Sequence, residues 1–61
     1  MTPLHLACEL GHLHIVKFLI QNGASTTVVD EYKYTPVDYA IINRFRSIEL
    51  LFDELAGDSS E

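Results

Sequence analysis

The chain contains no tryptophan, one cysteine, two prolines and three glycines in 61 residues. A lone Cys8 excludes an intramolecular disulfide, so no covalent staple reinforces a chain of this length, which buries only roughly 60% of its unfolded surface. A free thiol fits a reducing compartment, and an intracellular location, cytoplasmic or nuclear, is the expectation. Basic residues are scarce as well. Lys17, Lys33, Arg44 and Arg46 stand against nine carboxylates, and the net charge is −5. That balance argues against nucleic acid or an anionic membrane as partner, since either requires clustered Lys and Arg. No apolar run approaches the ~18 residues of a membrane span. No basic segment precedes an apolar one near residue 1, so no signal peptide is expected.

What the chain does have is an internal repeat. Thr2-Pro3-Leu4-His5-Leu6-Ala7 returns 33 residues later as Thr35-Pro36-Val37-Asp38-Tyr39-Ala40. A self-match at such a period marks a repeat architecture. Each copy is a helix start, because Thr can cap the first-turn N–H groups and Pro fits the first helical position. Leu4, Ala7 and Cys8, and then Val37, Ala40 and Ile41, continue at helical spacing.

Four helices follow from the remaining pattern. The first spans 2–10 and breaks at Gly11. The second spans 13–21 and ends at Asn22-Gly23, where glycine supplies a left-handed cap. Only His14, Lys17 and Gln21 form a polar strip on it at roughly 100° per residue. Leu13, Ile15, Val16, Phe18, Leu19 and Ile20 occupy the rest, so this helix needs cover on more than one side. Residues 24–34 read as a hairpin-like excursion, with Ser25–Val29 favouring strand and Asp30 favouring turn. The third helix spans 36–42, with Asp38 closing a capping box on Thr35. The fourth spans 47–55 with Ser47 as candidate cap. Its apolar stripe Ile48, Leu51, Phe52 and Leu55 is narrow, and Glu49, Asp53 and Glu54 fill the outer side. It reads as the polar-faced end of an array.

Residues 2–30 resemble one ankyrin repeat, through Thr2-Pro3-Leu4-His5-Leu6-Ala7, Gly11-His12, Ile15–Ile20 and Asn22-Gly23-Ala24. Residues 30–56 resemble a second, weaker one. The resemblance implies an all-α, ankyrin-type solenoid fragment: two stacked helix-turn-helix pairs joined by a hairpin-like finger. It divides the chain into a first repeat with finger, 1–33, a cap-like second repeat, 34–56, and a polar tail, 57–61. Two departures stand out. Lys33 and Arg44 occupy places where the family usually has glycine, and Asn43 beside Arg44 tolerates the left-handed conformation. The register of the fourth helix is open by one residue; without a gap, Glu49 falls on Val16.

Little in the sequence supports catalysis or metal binding. His12 and His14 point apart on a helix. His5 and Cys8 could meet, but zinc requires further ligands and a nucleophilic pair requires an orienting group and an oxyanion site. An enzyme using His5, Cys8 and His12 is the weakest alternative. No catalytic, metal or cofactor site is assigned. By the resemblance, Cys8 takes a small buried position and His5 hydrogen-bonds neighbouring turns. Thr27 stands where many ankyrin repeats have an asparagine that can be hydroxylated.

The resemblance implies a non-enzymatic protein–protein interaction module, a scaffold binding through finger tips and the exposed side of each first helix. Those positions are Glu9, Leu10, Glu31, Tyr32, Tyr34, Ile42 and Asn43, an apolar-aromatic centre with an acidic rim. The expected partner is another protein, with neighbouring repeats of a longer array at the ends. Self-association through the open first-repeat face stays open. The alternative function is a structural C-terminal cap of a longer array without its own ligand surface.

Overall fold

The computed structural model describes residues 1–57. It is all-helical: α1 Pro3–Leu10, α2 Leu13–Gln21, α3 Pro36–Ile42 and α4 Arg46–Gly57. The expected polar tail lies outside the described residues except for Gly57, which ends α4.

Both repeat starts use the same local device. The Thr2 side chain accepts the His5 N–H at 3.3 Å, while His5 Nδ1 faces the Thr2 N–H at 3.2 Å. In α3 the Asp38 carboxylate accepts the Thr35 N–H at 2.9 Å and its hydroxyl at 3.0 Å. Each arrangement satisfies first-turn donors that the helix itself leaves unpaired.

The register is carried without a gap. Gly11 and Arg44 both take left-handed backbone, with φ of 77° and 61°. Leu13 and Arg46, also 33 residues apart, each open the second helix of their unit. Glu49 is therefore the counterpart of Val16. Asn43, which would tolerate that conformation, does not take it: Asn43 has φ −92°, and Arg44, the counterpart of Gly11, is itself the left-handed residue. Asn43 instead donates its side-chain N–H to the Tyr39 carbonyl at 2.9 Å, closing the end of α3. Ser47 is likewise no cap, since α4 already begins at Arg46.

The finger is not a strand pair. Ser25–Val29 forms no strand, and no strand occurs among the described residues. A β-rich composition over five residues has no partner edge here with which to build a ladder. Lys33 does take the left-handed conformation, φ 65°. For an L-residue that conformation costs about 1–2 kcal/mol, part of which glycine would return as unfolded-state entropy. Lys33→Gly and Arg44→Gly are each expected to stabilise the fold by about 0.5–1 kcal/mol. Urea melts check this; an unchanged or lowered midpoint would place no strain at these residues.

The core joins the two units. Leu4, Ala7 and Cys8 of α1, Val16 of α2, Tyr39 and Ala40 of α3, and Ile48 and Phe52 of α4 are buried together. α1 lies chiefly against α3, so the inner helices form the main contact between units. Two details of the expected pattern change. Leu55 is exposed and leaves the α4 stripe, whose buried members are Ile48 and Phe52. On α2 only Val16 is fully covered, and Ile15 and Phe18 stay open at 48% and 60% exposure. That face lacks the second cover its sequence asks for.

Candidate functional site

The finger is organised by one carboxylate. Asp30 is buried, and its Oδ1 accepts the N–H groups of Tyr32 at 2.9 Å and Tyr34 at 3.1 Å. The Tyr39 hydroxyl of α3 donates to Oδ2. An Asp side chain that caps its own following turn substitutes for the missing ladder. The Tyr34 carbonyl accepts the Asp30 N–H at 3.1 Å and also His5 Nε2 at 2.7 Å. Because a carbonyl only accepts, Nε2 carries the ring proton, and Nδ1 is left to accept from Thr2. The buried His5 ring thus ties α1 to the finger across 29 residues. Tyr39 completes the cluster, with its ring edge-on to His5 at 5.7 Å and to Tyr34 at 5.5 Å. His5 therefore does bond a neighbouring turn, as the resemblance implies.

The electrostatics follow from the geometry. Burial pushes the Asp30 carboxyl up, but the Tyr39 hydroxyl and the Tyr34 and Tyr32 N–H groups outweigh it and hold it below the ordinary 3.8. The bond to Asp30, together with burial, raises the Tyr39 hydroxyl above its ordinary 10.0. The signs are opposite. The depressed Asp30 value gives stability that is present above pH 3.8 and is lost as pH falls through the lower folded value. The raised Tyr39 value gives stability that is present below pH 10.0 and is lost as pH rises through the higher one. Thermal melts across pH are expected to show both limbs. Tyr39→Phe should remove the alkaline limb and shrink the acid one, and an unchanged profile would disconnect this pair from folding.

The seven residues expected to meet a partner lie on the finger and along or at the ends of α1 and α3. Tyr32, 68% exposed, and Glu31 lie on the finger turn. Tyr34 is 42% exposed, and part of its ring is spent on Tyr39. Glu9 lies near the end of α1, the helix that His5 ties to the finger. Leu10 and Ile42 are exposed near the ends of the inner helices. The Asn43 side chain is exposed but occupied by the α3 cap.

Sequence reasoning missed Asp30 as the hub and Tyr39 as its partner, nine residues apart in no local motif. It also missed Phe45, whose ring lies over Gly11. Cys8 is fully buried, and burial pushes its thiol up to about 11, the setting of an unreactive core cysteine. Among the described residues no three metal-ligating side chains gather, and no helix is long and apolar enough to cross a membrane.

Two helical pairs stacked through their inner helices, with a capped finger between them, define a helical-repeat protein of the solenoid class. The family model for ankyrin repeats in three copies matches residues 1–59, and the chain belongs to the ankyrin repeat family. It is 41% identical over 54 residues to an ankyrin repeat protein of Rickettsia bellii, covering 85% of this chain and 23% of that protein. It is 49% identical over 35 residues to an ankyrin repeat protein of Acanthamoeba polyphaga mimivirus, covering 57% and 27%. A transcription regulator of Gibberella zeae is also 49% identical over 35 residues, 57% of this chain and 13% of the regulator. The chain thus spans about a quarter or less of the length of these curated relatives. Ankyrin repeats are, as a class, non-enzymatic modules of protein–protein interaction.

Proposed function

We propose that this chain binds a partner protein through the finger and the inner-helix surface, with Tyr32 as principal anchor. One observation carries the reading: Tyr32 is 68% exposed on a turn whose backbone is already fixed by Asp30. A large aromatic held on a pre-ordered loop pays little ordering entropy when it is buried by a partner. Glu9 and Glu31 supply the acidic rim, and Leu10 and Ile42 extend the apolar area. The buried thiol of Cys8 suits an intracellular setting.

Binders selected from a displayed protein library against the chain provide the test. Tyr32→Ala should leave stability within about 0.5 kcal/mol and weaken selected binders by about 2 kcal/mol, roughly 30-fold. Tyr34→Ala should weaken them too, with some loss of stability from its contact with Tyr39. Binders insensitive to both substitutions would remove the finger from the interface.

A second reading is that α4 seals the end of a longer array. The carboxylates of Glu49, Asp53 and Glu54 on its outer side support it. In that case the selected binders would map to no residue of α1 or the finger.

A further inference from the structure

Two helices of this chain end on an asparagine, and the two ends are built alike. Asn22 closes α2 with φ −97° and ψ 16°, and Asn43 closes α3 with φ −92° and ψ 2°. Each side-chain amide donates back along its helix to the carbonyl four residues earlier. Asn22 Nδ2 reaches Phe18 at 2.7 Å, and Asn43 Nδ2 reaches Tyr39 at 2.9 Å. The next residue is left-handed in both, Gly23 at φ 91° and Arg44 at φ 61°. Its N–H bonds the carbonyl three back, Ile20 at 3.0 Å and Ile41 at 3.1 Å. The N–H after that completes each cap, Ala24 to Leu19 and Phe45 to Ala40, both at 2.9 Å. Every bond in the two caps is local to its own helix end. The residue that follows the asparagine distinguishes them: glycine in the first cap, arginine in the second.

That difference is chemical. An asparagine Cγ is electrophilic toward the following backbone nitrogen. The nitrogen gives its proton to base and its electron pair to Cγ. A five-membered succinimide forms as the Nδ2 group takes up a proton and leaves as ammonia. Water then adds to one of the two imide carbonyls and breaks its bond to the ring nitrogen, which regains a proton. The net change turns an amide and one water into a carboxylate and one ammonium ion. A side chain on the following residue obstructs ring closure, whereas glycine has no Cβ and rotates freely into it. Asn22 and Gly23 are both exposed, and a Cβ at Gly23 would meet nothing within 4 Å.

The folded cap opposes this step in two ways. The Gly23 nitrogen holds its proton in the bond to Ile20, and the Asn22 amide is drawn back to Phe18. Both bonds break when the end of α2 frays, and helix ends open at a far lower free energy than the core. We propose that Asn22 is a self-modification site, a deamidating asparagine gated by the cap of α2. The aspartyl or isoaspartyl product has no side-chain N–H for the Phe18 carbonyl. It also puts a negative charge at the negative end of the helix dipole. A transient opening between α2 and the finger thereby becomes permanent. Asn43 keeps its amide because Arg44 follows it. Glycine at position 44 would relieve the strain there and create a second labile asparagine.

Incubation of the chain at mildly alkaline pH, in buffer and in denaturing guanidinium chloride, followed by peptide mass spectrometry, tests the proposal. Aspartyl and isoaspartyl products are expected at Asn22, forming at least about tenfold faster in denaturant than in buffer. In denaturant Asn43 should react at least about tenfold more slowly than Asn22. Arg44→Gly should raise Asn43 to the rate of Asn22 in denaturant. Asn22→Asp should melt at lower urea than the parent chain. An Asn22 that stays intact in denaturant would overturn the site, and equal rates in buffer and denaturant would overturn the gate. Equal rates at Asn22 and Asn43 in the parent chain, or an Asn43 unmoved by Arg44→Gly, would overturn the part given to the following residue. An unchanged midpoint for Asn22→Asp would overturn the consequence for the fold.

Discussion

Gly11→Ala is expected to lower stability by about 2–5 kcal/mol. Two costs combine. Gly11 sits at φ 77°, where a Cβ meets the neighbouring carbonyl and costs about 1–2 kcal/mol. The added methyl would also lie 2.8 Å from the Phe45 ring, well inside van der Waals contact. Phe45 is packed against the core and holds the boundary between α3 and α4, so its ring cannot swing away freely. Overpacking of this kind costs about 1–3 kcal/mol. A double-mutant cycle separates the terms. With Phe45→Ala in the background, Gly11→Ala should cost only its backbone strain, about 1–2 kcal/mol. An equal cost in both backgrounds would show that the ring makes no close approach to this turn.

His5→Ala is expected to cost about 3 kcal/mol. The change takes the Nε2–H donor from the Tyr34 carbonyl and the Nδ1 acceptor from Thr2, and it opens a void against the edge-on Tyr39 ring. Native stability runs at about 0.05–0.15 kcal/mol per residue, so a chain this short holds only several kcal/mol. A loss of that size would remove about a third or more of this margin. His12→Ala, at an exposed position, should stay within about 0.5 kcal/mol. Urea melts of the two variants settle the comparison. Similar midpoints would remove His5 from its role as the tie between α1 and the finger.

Helix positions were legible because they are set by local rules. Thr-Pro starts, Gly11 and Asn22-Gly23 act within one turn of the residues they govern, and α1, α2 and α3 stand close to where those signals put them. The Thr35–Asp38 box was legible for the same reason. Ser25–Val29 misled because strand preference expresses packing against a neighbouring strand, and none is present among the described residues. Tyr32 and Tyr34 could be placed on the finger by resemblance. The use of part of Tyr34 to cover Tyr39 could not be read from sequence spacing.

The sequence by itself determined the repeat, its 33-residue period, the four helices, the absence of disulfide support and the acidic balance. All of these depend on residue type and near-neighbour spacing. Tertiary structure decided the remainder. It made Asp30 and Tyr39 partners and sent the His5 proton to Tyr34. It put Phe45 over Gly11. Each of these pairings joins residues with no fixed offset. Buried polar groups must find partners wherever packing brings them together, and only the packed chain determines which groups meet.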